Sequence, residues 1–192
     1  MTLTPAAFRE QLLNLDLTER SEEEEARRAM VELLGTGLDC FSRECFPAHF
    51  TGSALVVRAD GLQALLNHHR KLGRWMQFGG HCDDGESALE AAQREALEES
   101  GIPGLILASP RPFDLDIHRI PARGNQPEHW HYDVRFVLIA PEGAEARASP
   151  ESVEVRWFSP EQMDALELDA GTRRLLRKWR QLLQRRGAQA HA

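Results

Sequence analysis

The sequence predicts an α/β domain preceded by a helical extension, on three observations. From Thr51 onward, short apolar runs alternate with segments of helical periodicity, the pattern of strands interleaved with helices. Asp60-Gly61 falls between two such runs and is a tight-turn signal, so at least one strand pair is antiparallel. Ahead of Thr51 the pattern is helical only. The expected boundaries are an N-terminal helical extension over residues 1–46, the α/β domain over 47–187 and a flexible tail over 188–192.

The elements follow in order. Thr4 can cap a first helix, with Pro5 in its first turn, where a missing N–H costs nothing. Ser21 and Glu24 have the spacing of a capping box for a second helix. Ala26, Met30, Leu33 and Leu34 give that helix an apolar stripe, and Gly35 and Gly37 end it. The run Glu22 to Glu25 lies in its first turn, where carboxylates complement the positive pole of the macrodipole, so the run is structural. Ala54–Val57 and Leu62–Leu66 are the arms of the hairpin, and Met76–Phe78 is a further extended piece. A helix runs from Ser87 to Ser100 and stops at Gly101. Strands are expected over 105–107, 113–120, 130–139 and 153–158. Pro160 opens a short helix, and Gly171 precedes an amphipathic one reaching about Leu183.

Composition sets limits on function. The 192 residues carry 30 acidic and 23 basic side chains, a formal net charge of −7. That balance argues against a protein that coats nucleic acid through bulk charge, and no nucleic-acid partner is expected. No apolar run approaches the roughly 20 residues of a membrane-spanning helix. The N-terminus lacks the basic-then-apolar order of a secretory signal. Cys40, Cys45 and Cys82 are too few, and odd in number, for a disulfide framework. Reduced, mostly buried thiols in a cytoplasmic protein are expected, without a cysteine zinc site, since no Cys-x-x-Cys pair exists.

Chemistry concentrates in Gly80 to Ile102. On the helix, taking Glu95 as zero, Glu98 lies about 60° to one side and Glu99 about 40° to the other. Ala88, Ala91 and Ala92 fall on or beside the same arc and would leave room for something to approach the acids. The cluster is poor for helix stability alone. Like charges three and four residues apart repel by about 0.2–0.5 kcal/mol per pair. The acids also face the negative helix pole, at a further cost of about 0.3–1 kcal/mol. Arg94 is one compensating cation against three carboxylates. On an arbitrary helix such an arc is more often an exposed acidic face screened by salt. Gly79-Gly80 shifts the balance, because backbone there can approach a ligand closely and Gly80 can offer its carbonyl. An oxygen-only donor set suits Mg²⁺ or Mn²⁺.

This segment resembles the signature of the Nudix hydrolases. Gly80, Glu86, Arg94, Glu95, Glu98, Glu99, Gly101 and Ile102 match it in place, with Ala96 the one departure, where the family has a larger aliphatic residue. Ala96 is expected to loosen packing and to leave the chemistry intact. The resemblance extends over roughly Gly52 to Leu166, including Val155-Arg156-Trp157-Phe158-Ser159-Pro160 before a short helix.

The resemblance implies an α/β/α sandwich around a mixed sheet. It implies a pyrophosphohydrolase that uses Mg²⁺ or Mn²⁺ to cleave a nucleoside diphosphate linked to another moiety, so the partner is a small phosphorylated molecule. By position, Glu95 and Glu99 would be metal ligands, with the Gly80 carbonyl, and Glu98 a further ligand or the proton acceptor. Arg94 would complete the catalytic set by holding these carboxylates, and Glu86 would brace the loop–helix junction. Glu151 is the candidate for an extra metal-binding acid ahead of the last strand, with Glu154 behind it. The extension would pack on the domain or form a homodimer contact.

Two further strands form a candidate substrate wall. His129, His131, Asp133 and Arg135 share one face of a strand, and Asp114, Asp116 and His118 share one face of the preceding strand. If the two pair, the result is either a substrate-binding wall, with His129, His131 and Asp133 toward the phosphates, or the solvated face of an antiparallel pair. Trp75 and Trp130 are either base-stacking residues or parts of the core and rim. Two rival functions remain open. An isopentenyl-diphosphate-isomerase-like enzyme would need a reactive Cys where this chain has Gly79. A non-catalytic nucleotide sensor or scaffold would usually have lost some of the glutamates, and none is lost. The markers that the family carries for ADP-ribose, diadenosine polyphosphates and NADH are absent, so the substrate stays open.

Overall fold

The computed structural model describes residues 4–17 and 20–189, and no helix among them is long and apolar enough to cross a membrane. The elements in chain order are α1 (Pro5–Leu13), α2 (Arg20–Leu34), β1 (Ala48–Val57), β2 (Ala64–His69), β3 (Arg74–Met76) and β4 (Phe78–His81). Then come α3 (Ala88–Ser100), β5 (Ile106–Leu107), β6 (Asp114–Ile120), β7 (His129–Ile139), β8 (Ser152–Phe158), α4 (Pro160–Asp164) and α5 (Ala170–Gln189). This is the interleaved α/β order that the sequence predicts. It folds as two compact units, and the chain passes between them several times.

The first unit comprises the described residues of Met1–Ser53, Gly79–Glu95 and Ser109–Phe136. Thr4 caps α1 by accepting from the Ala7 amide at 3.2 Å. The Ser21 capping box lies outside the described side chains. Phe8 of α1 meets Phe50 of β1 at a ring separation of 5.6 Å, and Phe50 stacks on Phe41 at 5.0 Å. The extension therefore packs on the first strand. The stripe on α2 is deepest at Ala26 and Met30 and half-buried at Leu33 and Leu34.

β1 begins six residues earlier than the apolar pattern indicates, and all ten of its positions are buried. Apart from Phe50, the residues ahead of Ala54 are polar or small, and Thr51 and Ser53 donate to the Asp133 carboxylate of β7, at 2.9 and 2.7 Å. Gly52 lies between them for a steric reason. A Cβ there would come within 1.9 Å of the Ala88 carbonyl oxygen and 2.8 Å of the Ala92 amide, so α3 rests directly on this backbone. β4 continues through Gly79-Gly80 to His81, beyond the extended piece expected at Met76–Phe78.

β6 and β7 form the antiparallel pair expected, with Asp114 opposite Arg135, Asp116 opposite Asp133 and His118 opposite His131. β7 also bonds β1. The Trp130 amide donates to the Pro47 carbonyl at 2.8 Å in the first unit, and the Ala140 amide to the Val57 carbonyl at 2.8 Å in the second. The sequence offset is the same at both ends, so these two strands run parallel and the strand pairing is mixed.

The second unit comprises the described residues of Ala54–Phe78, Ala96–Ala108 and Val137–Ala192. The end of β1 turns through Gly61, at φ +78°, into β2, pairing Val56 with Leu65 and Val57 with Ala64. β2 then pairs β3 beyond β1, and pairs β8 along its other edge. Leu55, Val57, Leu66, Phe158, Met163, Leu176 and Trp179 make the core of this unit. A fully buried side chain of this size contributes about 1.5–3 kcal/mol. Trp179 of α5 also donates its indole N–H to the Gly61 carbonyl at 3.0 Å, tying the last helix to the hairpin turn.

Candidate active site

The site is assembled where β4 passes through a loop into α3. Glu86 and Asp83 close the loop on themselves. The Glu86 amide donates to the Asp83 carbonyl, and the Asp83 amide to the Glu86 carboxylate, each at 2.9 Å. Gly85 takes φ +79° in the turn. α3 then starts on a reciprocal cap. The Ser87 amide donates to Glu90 Oε2 at 2.9 Å, and the Glu90 amide to Ser87 Oγ at 3.3 Å. The Ser-x-x-Glu spacing of this capping box is legible in the sequence.

Arg94 locks the loop to the helix. Its Nε and Nη2 donate to the two Glu86 oxygens at 3.0 Å each, its Nη1 to Glu95 Oε1 at 2.9 Å, and its Nη2 also to the His81 carbonyl at 2.9 Å. The hydrogen bond from Arg94 holds the Glu86 carboxyl below the usual range. The same bond, with Glu95 beside it, raises Arg94 further above its ordinary value. The guanidinium thus fixes Glu95, which lies against the backbone of Gly80. A Cβ on Gly80 would stand 2.3 Å from Glu95 Oε1.

Along α3, Glu95 is half-buried, Glu98 exposed and Glu99 buried, at 7% exposure. The alanines are a correction to the sequence reading. Ala88, Ala91 and Ala92 are all buried and leave no open space for a ligand, and the backbone of Gly52 packs against Ala88 and Ala92. Ala96 is fully buried, and Gly101, at φ +63°, ends the helix by donating to the Leu97 carbonyl at 2.9 Å. Glu151 is exposed in the turn ahead of β8, its carbonyl accepting from the Arg70 amide at 2.8 Å, and Glu154 is exposed beside Arg156.

The polar strands pair as expected, and their shared face is buried at Asp114, His129, Asp133 and Arg135 and half-open at Asp116, His118 and His131. Arg135 is 3% exposed and donates to Asp133 at 2.7 Å, Asp116 at 2.8 Å and Asp114 at 3.2 Å. Burial works against its charge, and the three carboxylates outweigh that and raise its pKa. Asp133 therefore accepts from Thr51, Ser53 and Arg135 in the interior. His129 and His131 come together with His49 and His81, one ring nitrogen of each lying within 4.8 Å of the others. Burial and neighbouring imidazoles lower His81 to about 4 and His131 to about 2, and burial also lowers His49. The sequence reading gives no role to His49, because its strand is recognisable only from Ala54. Trp75 is a packing residue, edge-on to Phe158 at 4.9 Å, and Trp130 is 41% exposed. The three cysteines are free, with Cys40 and Cys82 buried.

Residues 49–179 match the sequence profile of the NUDIX domain. A Bacillus subtilis protein provisionally named 8-oxo-dGTP diphosphatase is 44% identical over 50 residues, which are 26% of this chain and 34% of that protein. A Mycobacterium tuberculosis protein provisionally named 8-oxo-dGTP diphosphatase 3 is 30% identical over 132 residues, 64% of this chain and 58% of its own length. The chain thus spans between a third and three fifths of these curated relatives. A crystal structure of a NUDIX-family hydrolase from Clostridium perfringens is similar at a TM-score of 0.53 and 24% identity, over 71% of this chain and 98% of that one. The likeness establishes the fold, an α/β/α sandwich around a mixed sheet.

Proposed function

The chain belongs to the NUDIX domain family, and from that premise we propose that it is a pyrophosphohydrolase. Its substrate would be a nucleoside diphosphate linked to another moiety: a nucleotide, a nucleotide sugar or a dinucleotide. The observation that carries this reading is the approach of Glu95 to Gly80 under the Arg94 clamp, which puts a carboxylate and the Gly80 backbone side by side.

That arrangement fits a hard divalent cation. The donors at hand are oxygens, and the Glu95 carboxylate lies so close to Gly80 that any side chain there would collide with it. Glu95, Glu99, Glu98 and the Gly80 carbonyl would hold Mg²⁺ or Mn²⁺, with Glu151 as the additional acid. The ion would supply positive charge against the diphosphate oxygens. The rest of the work falls to the chain. Glu98, exposed on the same helix, would take the proton of the attacking water and return it to solvent. Arg94 is a positioning residue, donating to Glu95 and fixing its orientation while Glu86 keeps Arg94 in place. Asp133, engaged with Thr51, Ser53 and Arg135, would hold β1 to β7 and would not touch phosphate.

The test is hydrolysis by the purified full chain of a panel of nucleoside di- and triphosphates, nucleotide sugars and dinucleotides, with Mg²⁺ and with Mn²⁺. The names of two relatives add 8-oxo-dGTP to the panel. Metal-dependent release of a phosphorylated product, lost in Glu98→Gln, is the expected result. Tight nucleotide binding without turnover of any compound would favour a sensor instead.

A further inference from the structure

The geometry points to a second metal site, distinct from the carboxylate face of α3: a transition-metal site made by His49, His81, His129 and His131. These residues come from β1, β4 and β7, all within the first unit. One ring nitrogen of each lies within 4.8 Å of the other three.

Two of the rings are already set as ligands. His49 Nδ1 is 3.1 Å from the Cys45 carbonyl oxygen, and His129 Nδ1 is 2.9 Å from the Pro127 carbonyl oxygen. A carbonyl only accepts, so each Nδ1 carries a hydrogen, and in the neutral ring each Nε2 then keeps a lone pair. Metal-binding histidines characteristically use the far ring N–H in this way, on a backbone carbonyl that fixes tautomer and orientation. His49 is 1% exposed, and its Nε2 has no hydrogen-bond partner. A buried lone pair facing three other imidazoles needs an occupant.

The other two rings give the spacing. Nε2 of His81 and Nε2 of His131 are 3.2 Å apart. Nitrogens around a tetrahedral ion at bond lengths of about 2.0–2.1 Å are separated by about 3.3–3.4 Å. The rings also pack on one another, with centroids 4.8 Å apart for His81 and His131 and 5.0 Å apart for His49 with either His129 or His131. Phe46 stands edge-on to His129 at 5.5 Å and gives the group an apolar flank.

The donor set decides the class of ion. Four imidazole nitrogens suit Zn²⁺, Co²⁺, Ni²⁺ or Cu²⁺ and discriminate against Mg²⁺ and Mn²⁺, which prefer oxygen. The site therefore selects a different ion from the carboxylates. It would fasten β1, β4 and β7 together beside Gly80, the residue before His81, and steady the strand from which the loop to α3 departs.

The experiment adds Co²⁺ to the metal-stripped, untagged 192-residue chain without substrate. One equivalent should bind with the intense visible absorption of a tetrahedral nitrogen site, and one equivalent of Zn²⁺ should displace it and raise the thermal midpoint. The Glu98→Gln/Glu99→Gln double variant should retain that spectrum. His131→Asn and His49→Asn should each weaken binding at least a hundredfold. Because such variants can misfold, X-ray absorption of the zinc-loaded wild-type protein provides the second readout, and a four-imidazole shell is expected. An oxygen shell, loss of the Co²⁺ spectrum in the glutamate variant, or unchanged affinity in the folded histidine variants would overturn the proposal. None of these readouts depends on hydrolysis, so the hydrolase reading can fail without touching them.

Discussion

Gly80 and Glu95 are in such close register that a methyl group on the glycine would stand 2.3 Å from one carboxylate oxygen and 2.6 Å from the carboxyl carbon. The obstacle is the tip of a flexible side chain, so Gly80→Ala displaces Glu95 and spares the backbone. Turnover should fall at least tenfold while the thermal midpoint stays within a few degrees, as checked by steady-state kinetics beside a melting curve. Undiminished turnover would remove Glu95 from the site.

Glu98 and Glu99 separate chemistry from folding. Glu98→Gln and Glu99→Gln should each lower turnover at least tenfold. Glu98 is exposed in the last turn of α3, where losing a negative charge relieves repulsion by about 0.2–0.5 kcal/mol. Metal-free Glu98→Gln should therefore be as stable as the parent in urea unfolding, or slightly more so. A clear loss of stability would make that carboxylate structural.

Arg94→Lys keeps the charge and loses the planar fork that reaches Glu86, Glu95 and the His81 carbonyl together. The expected signature is a rise in the Mn²⁺ concentration needed for half-maximal activity, alongside lower turnover. An unchanged metal requirement would mean that Arg94 only supports the fold.

Arg135 neutralises three interior aspartates, two of them fully or almost fully buried. Arg135→Met leaves those charges without their guanidinium, and breaking a buried pair in this way costs about 3–5 kcal/mol. Urea unfolding should show a loss of that size. A loss below about 1 kcal/mol, the scale of a surface ion pair, would contradict the network described.

The lowered histidines give a pH dependence whose sign is fixed. In the unfolded chain, His81 and His131 take up protons below their ordinary pKa of 6.5, whereas the folded protein resists until about 4 at His81 and about 2 at His131. The unfolded state binds more protons in that window, so stability is full above pH 6.5 and declines as the pH falls toward 4. Metal-free wild-type protein should lose more stability between pH 7 and 5 than His131→Asn does, as measured by urea midpoints. Equal losses would show that these rings are protonated in the folded state.

The parts of the molecule that were legible in the sequence are those whose determinants are local. Gly80 to Ile102 carries its loop acid, its arginine and its helix stop at fixed short spacings, and Asp60-Gly61 marks a hairpin that forms as expected. The first half of β1 was not legible, because its residues answer to Asp133, which lies 82 positions beyond Thr51. A buried strand that hydrogen-bonds inward has no apolar alternation to read. β4 runs past the expected extended piece at Met76–Phe78 through two glycines that carry no strand propensity, one of which makes room for Glu95. The alanines of α3 were misread for a related reason: a gap on a helix face does not say whether a ligand or another backbone fills it, and Gly52 does. The histidines of β7 stood out by their alternation, yet their meeting with His49 and His81 depends on the parallel pairing of β1 with β7, which no local pattern encodes.

The central claim is that the carboxylate face of α3 holds a hard divalent ion. Anomalous diffraction from crystals soaked in Mn²⁺ with a non-hydrolysable nucleoside diphosphate derivative tests it most directly. The account predicts a manganese peak within coordination distance of Glu95 and Glu99. A map with no peak there, or with manganese only among the four histidines, would contradict it.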